Sequence, residues 1–252
     1  MQLQEMNWPS VAAAAGGHPV VLPIAAVEQH GRHLPVFTDS MLLGEVVRRA
    51  ALGLGERIVW APLLWLGNSH HHLDFAGTLS AAPRTYLDVL GDLIDNMVAH
   101  GFRRIVFLNG HGGNIVPANQ AVFEARQRYR NRDDLLLLAA TYWLLGSQPE
   151  TAGSGFVQDF MGHACEWETS MILALAPHLV GDLRSIEPVP SGILFEPASR
   201  GWLTQDRSAA GHIGDPRQAS AEKGETLFRL FSADVAAFLE RVAAWDGRTW
   251  NG

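Results

Sequence analysis

One cysteine, Cys165, stands in 252 residues, so the chain has no internal disulfide framework and suits a reducing cytoplasm. Basic runs are missing too. With a net charge of -7 and no positive stripe, the sequence lacks the footprint of a nucleic-acid binder. No apolar stretch approaches the length of a membrane span. The opening MQLQEMNWPSVAAAAGGHP has neither the basic start nor the continuous apolar centre of a secretion signal. There is no repeat, no interdomain linker and no G-x-S-x-G elbow of a serine hydrolase. These absences predict a soluble cytoplasmic protein that binds neither nucleic acid nor membrane.

What is present is a core. Hydrophobic residues make up 47% and charged residues 18% of the chain, enough to fill the interior of one domain spanning 1–252. Pro19–Ile24 and Ile105–Leu108 are short, apolar and rich in β-branched residues, as buried parallel strands are. Ile58–Leu66, interrupted by Pro62, and Leu135–Tyr142 are two more strand candidates. Between them, apolar residues recur at helical spacing over Ser40–Leu52, Tyr86–His100 and Ala118–Tyr129, and a last helix is predicted from about Ala219 to Trp245. Strands alternating with helices predict an α/β fold, a mostly parallel central sheet with helices on both faces. Thr151–Gly162 and the Pro-rich Glu187–Trp202 read as long connections of the kind that form lids or subunit contacts.

The polar segments fall just after strand ends, where open α/β sheets place their ligands. Glu28 and His30 lie two apart after the first strand, projecting to one side with Gln29 pointing away, and Asp39 follows at a helix start. Two carboxylates and an imidazole at one strand edge can hold a borderline metal ion; the bland alternative is two surface residues and a helix N-cap. His111 follows the most apolar strand among Gly110, Gly112 and Gly113, where the backbone can approach a ligand closely. A dinucleotide-binding turn is excluded there, since Ile115 occupies the last glycine position. His163, Glu166 and Glu168 cluster at the start of an apolar helix, although a helix N-terminus favours carboxylates without any function. Cys165 has no base to activate it. Of the run His70-His71-His72, at most one is expected to line a pocket, because neighbours on an extended strand cannot share one ion. His18, His33, His100, His178 and His212 are expected to be solvated or simply hydrogen-bonded.

Taken together, these segments resemble the creatininase family. The match runs from Leu22-Pro23-Ile24 through Glu28-Gln29-His30-Gly31-Arg32-His33-Leu34-Pro35 to Asp39, then through His72 and Phe75-Ala76-Gly77-Thr78. It continues with Leu108-Asn109-Gly110-His111-Gly112-Gly113-Asn114, His163-Ala164 with Glu168-Thr169-Ser170, Gly214-Asp215-Pro216 and Ala221-Glu222-Lys223-Gly224. The resemblance implies a two-metal centre that hydrolyses a C–N bond in a cyclic or simple amide, in a homo-oligomer that is often a hexamer. Carried onto this sequence, Glu28 and His111 would hold one ion, His30 the other, and Asp39 would bridge them. His163 would be the acid/base residue, with Glu166 as a further catalytic candidate. Glu168 would complete the second metal site, with Glu166 as its alternative.

One departure stands out. Creatininases carry a glutamate two residues after the histidine of the second motif, where this chain has Gly113. The glycine is expected to leave room beside the ions and to make creatinine a poor substrate. The mixed nitrogen and oxygen donors suit zinc, manganese or iron. Alternatives on the same scaffold are a formamide deformylase, a peptidase or a lactone or ring hydrolase. A different class is a non-catalytic metal-binding assembly protein, whose ligand sphere would be closed.

Overall fold

The computed structural model describes residues 1–146, 149, 155–195 and 197–248. Four strands form one sheet, β1 (Val20–Ile24), β2 (Val59–Trp60), β3 (Arg104–Asn109) and β4 (Leu136–Thr141). All neighbours are parallel in the order β2-β1-β3-β4, with Ile24 opposite Asn109 and Asn109 opposite Thr141. Among the described residues the α-helices are α1 (Trp8–Ala15), α2 (Thr38–Leu54), α3 (Pro83–Ala99), α4 (Ile115–Arg128), α5 (Glu166–Leu175), α6 (Thr204–Arg207) and α7 (Ala221–Ala244).

Side-chain alternation along the central strands sorts the core into two layers. Val20, Leu22, Ile24, Ile105 and Phe107 point to one face, against Ala14 and Ala15 of α1, Leu90 and Ile94 of α3, and Ala121 and Ala125 of α4. Val21, Val106 and Leu108 point to the other, against Leu43 and Val46 of α2, Trp167 and Met171 of α5, and Phe228 and Phe231 of α7. Burying each large apolar side chain contributes about 1.5–3 kcal/mol, so both faces must be covered. The expected fold class holds.

The expected strand over Ile58–Leu66 shrinks to Val59–Trp60, because Pro62 has no amide hydrogen for a ladder. That loss explains why Pro23 is tolerated inside β1. Its carbonyl accepts from Leu64, so its missing N–H faces the side where β2 has already ended. The helix α1, absent from the periodicity reading, is short and alanine-rich, and Asn7 caps it by accepting from the Ser10 amide. Of the connection expected over Thr151–Gly162, residues 151–154 lie outside those described. Among the described residues no helix is long and apolar enough to cross a membrane.

Candidate metal centre

The loop leaving β1 folds back on itself, with the Glu28 amide donating to the Val36 carbonyl, and this buries Glu28, Gln29 and His30 together. The His30 Nδ1 lies 3.1 Å from the Glu28 carbonyl, an acceptor only, so this nitrogen carries the hydrogen. The lone pair of Nε2 is then directed at Asp39 Oδ1, 3.0 Å away, and Glu168 Oε1, 3.5 Å away. His111 is set the same way. Its Nε2 donates to the Asn68 carbonyl at 3.1 Å, leaving Nδ1 toward Asp39 Oδ2 at 2.9 Å and Glu28 Oε1 at 3.4 Å. A carbonyl behind each imidazole fixes its tautomer and ring plane, as around metal-ligating histidines.

Asp39 therefore offers one oxygen to His30 and the other to His111. It lies inside the first turn of α2, which begins at Thr38, and its side chain makes no capping bond, so the N-cap alternative falls. Glu168, in the first turn of α5, accepts from the Ala164 amide at 2.5 Å with one oxygen and turns the other toward His30. That turn forces Ala164 to a φ of 48°, a left-handed value uncommon outside glycine. The bend brings His163 back over Glu28, with Nδ1 3.5 Å from Oε1 and Nε2 donating to the Gln29 carbonyl at 2.9 Å.

Five of the residues read from the sequence thus converge: Glu28, His30, Asp39, His111 and Glu168, with His163 beside them. Glu166 does not. Its carboxylate is buried on the far side of α5, where it accepts from the Val157 and Gln158 amides and pairs with Lys223, the chain's one lysine, at 2.5 Å. Its expected roles in catalysis and in the second metal site are corrected accordingly. Two residues before Glu168, it lies about 200° away around a helix, which turns about 100° per residue.

Three expectations about neighbouring residues also change. Gln29 does not point away; its side-chain nitrogen sits 2.8 Å from His72 Nδ1 and 2.9 Å from His163 Nε2 and donates to the Gly211 carbonyl. The histidine run forms a 3-10 turn, His70–His72, not a strand, so successive side chains fan out around an axis. His70 faces out toward Ser80 while both His71 and His72 line the cleft, the latter with Nε2 3.4 Å from Glu28 Oε1. Thirdly, Gly113 leaves no spare room. A side chain there would run into the Asn68 carbonyl, His111 Nε2 and His71, so the glycine lets the segment 68–72 close over the centre.

Electrostatics mark the cluster as built for a cation. Burial disfavours a charged His111, yet Glu28 and Asp39 outweigh that and push it up to about 10. Burial likewise opposes charge on His30, and Asp39 and Glu168 raise it well above the usual histidine range. By contrast burial, with His30 and His72 adding to it, holds His163 well below that range, so its ring is neutral. His72, lowered to about 2 chiefly by burial, is neutral as well. Burial pushes the Cys165 thiol up to about 12, which removes it as a nucleophile.

Three buried atoms, Glu28 Oε2, His30 Nε2 and Asp39 Oδ2, have no hydrogen-bond partner despite their close contacts. An unsatisfied buried polar atom costs roughly 1–3 kcal/mol, and here all three belong to residues of one cluster. Overlapping groups in it, among them Glu28–His30–Asp39, Glu28–His71–His111 and His30–His163–Glu168, bring candidate ligand atoms within 4.8 Å of one another. The donor set fits divalent metal ions. It opens into a cleft of about 1280 Å³ whose lining includes Trp143, Phe160, Trp202 and Arg207.

The family model for creatinine amidohydrolase matches residues 4–239. This chain belongs to the creatininase family. Creatinine amidohydrolase of Pseudomonas putida is 29% identical over 92% of this chain and 93% of the relative. The mycofactocin precursor peptide peptidase of Mycobacterium tuberculosis (strain CDC 1551 / Oshkosh) is 32% identical over 90% and 85%. Family relatives are thus hydrolases with different named substrates. A solved creatininase with manganese superposes with a TM-score of 0.82 at 28% identity, covering 97% of this chain and 99% of the other. A mutant creatininase of Zn–Zn type gives 0.82 at 28%, covering 97% and 98%.

Proposed function

We propose that this creatininase-family chain is a metal-dependent hydrolase that cleaves the C–N bond of an amide at a centre for two divalent ions. The observation that carries the reading is Asp39, whose carboxylate oxygens face His30 on one side and His111 on the other, with buried unpartnered atoms around them. Glu28 and His111 would hold one ion and His30 and Glu168 the other, with Asp39 shared. Zinc or manganese is favoured by the mixed donors and by the solved relatives, and iron fits the same donors. Ions bound in such a site acidify water and polarise a carbonyl oxygen.

The protein's own groups supply the proton transfers and the orientation. The Gln29 carbonyl fixes the hydrogen of His163 on Nε2, so Nδ1 faces the cleft with a free lone pair. His163 can take a proton there from the attacking water and return it to the leaving nitrogen. Gln29 and Thr204 hold His72 in place beside Glu28, which keeps the carboxylate aimed inward. A cleft of about 1280 Å³ is larger than a small ring requires, which favours an extended amide such as a peptide over creatinine.

Asp39→Ala tests the reading. Elemental analysis of the purified variant should show loss of both ions, and hydrolysis across a panel of peptides, formamides and cyclic amides should vanish with them. Retention of the full wild-type metal content would sink the shared-carboxylate assignment.

A further inference from the structure

The far wall of the cleft carries a feature that the hydrolytic centre does not use. Arg207, at the end of the short helix α6, and Arg200 both line the cleft that holds Glu28 and Asp39. Both also line an adjoining cleft of about 640 Å³, which shares Ser191, Gly192 and Trp202 with the first. In this acidic chain several guanidinium groups sit on a carboxylate, as Arg48 and Arg49 do on Glu45 and Arg132 does on Asp134. Among the described residues Arg207 and Arg200 have none. Arg207 donates from Nη2 to the Ser191 carbonyl at 3.0 Å, and its guanidinium stacks over the Trp202 ring at 4.6 Å. Its Nε is buried with no partner at all. The neighbouring carboxylate of Asp206 also lines the adjoining cleft, but it accepts from the Leu203 amide and makes no ion pair with Arg207. Arg200 is exposed, holding the Ile193 carbonyl and leaning on the Phe195 ring.

A half-buried guanidinium without a counter-ion is costly unless something arrives to pair with it. Its planar fork matches the two oxygens of a carboxylate or phosphate. The wall from there to the metal centre is continuous. Arg207 lies against Trp202, the Trp202 ring is 4.9 Å from His71, and His71 stacks 6.0 Å from His111 with an interplanar angle of 13°. The cationic end and the ligand cluster are therefore separated by several bonds of any molecule that touches both.

Resting on the hydrolase reading, we propose that the substrate is an elongated amide with an oxyanion, carboxylate or phosphate, at the end remote from the scissile bond. Arg207 receives that oxyanion, Arg200 supplements it from the rim, and Trp202 lies along the intervening chain. Arg207 is thus a specificity residue and takes no part in the bond cleavage.

The test compares matched amides that carry a carboxylate, a phosphoryl group or a neutral amide at the far end, including short peptides with free or amidated C-termini. With the metal-loaded protein, kcat/KM should favour one anionic class over its neutral twin. In Arg207→Gln that ratio should fall at least tenfold while metal content stays at the wild-type level. Arg207→Lys, which keeps charge but not the fork, should fall between the two and covers the case in which the glutamine variant fails to fold. The anion preferred tells carboxylate from phosphate. A ratio unchanged in both variants overturns the proposal. If no member of the panel is hydrolysed, the hydrolase reading fails by itself, and calorimetry with glutarate and inorganic phosphate then decides. Binding weakened at least tenfold by Arg207→Gln supports the oxyanion site, and equal binding or none in the wild type overturns it.

Discussion

His163 occupies the position where two roles meet. Its ring stacks 4.3 Å from His72 and lies 4.4 Å from His30, and Nδ1 faces Glu28, so geometry would let it bind an ion as well as move a proton. In the proposed centre Glu28 and His111 on one side, and His30 and Glu168 on the other, would provide ligands without it, so the proton role is the one left over. His163→Ala should keep its metal and lose about 10²–10⁴-fold in turnover. Metal analysis beside steady-state kinetics separates the possibilities, because loss of metal would make His163 a ligand. At this scale the sequence was informative for residues that follow a strand directly. Glu28, His30 and His111 were legible from their place after apolar runs. Gln29, His71 and His72 were misjudged because extended geometry was assumed where the chain makes a loop and a 3-10 turn. A turn type depends on the contacts that hold it, here Ser80 and Thr204 on either side of the histidines.

Helices α5 and α7 illustrate how an element can hold a site from behind. Gly224 lies where α7 crosses α5, and an added methyl group would run into the Ser170 carbonyl and meet the Ala174 side chain at 2.9 Å. Alanine favours a helix over glycine by about 1 kcal/mol, but overpacking against a backbone that cannot yield costs about 1–3 kcal/mol. Gly224→Ala should therefore lower stability by up to about 2 kcal/mol, seen as a shift of the urea midpoint at constant slope. Since α5 carries Glu168 in its first turn, metal affinity should fall in the same variant. A variant as stable as the wild type would show that the crossing has slack. Both helices were legible in sequence, α5 as an apolar run behind its carboxylates, but such a run cannot say which face of α5 looks into the cleft. That is why Glu166 and Glu168 looked interchangeable, although Lys223 holds one of them on the opposite side.

At the scale of the whole molecule, the proposed centre would collect its ligands from the loops after β1 and β3 and from the first turns of α2 and α5, parts of the chain more than 100 residues apart. An ion bound there ties them together only in the folded state. Zinc or manganese at a hundredfold excess over Kd should stabilise the fold by about 2.7 kcal/mol, raising Tm by roughly 5–10 °C for a chain of this size. A melting temperature indifferent to chelator and to added metal would contradict a centre assembled from these elements. Composition and periodicity determined the α/β class, the two-faced sheet and the placement of chemistry at strand C-termini, because burial of apolar surface is a local pattern repeated along the chain. The family motifs marked the ligand candidates. Only the tertiary structure decided that Asp39 faces both His30 and His111, that Glu166 is buried against Lys223 away from the centre, that Gly113 is covered instead of open, and that Arg207 stands uncompensated in the same cleft. Each depends on which distant side chains meet, and such meetings are set by packing in three dimensions, where no sequence spacing reaches.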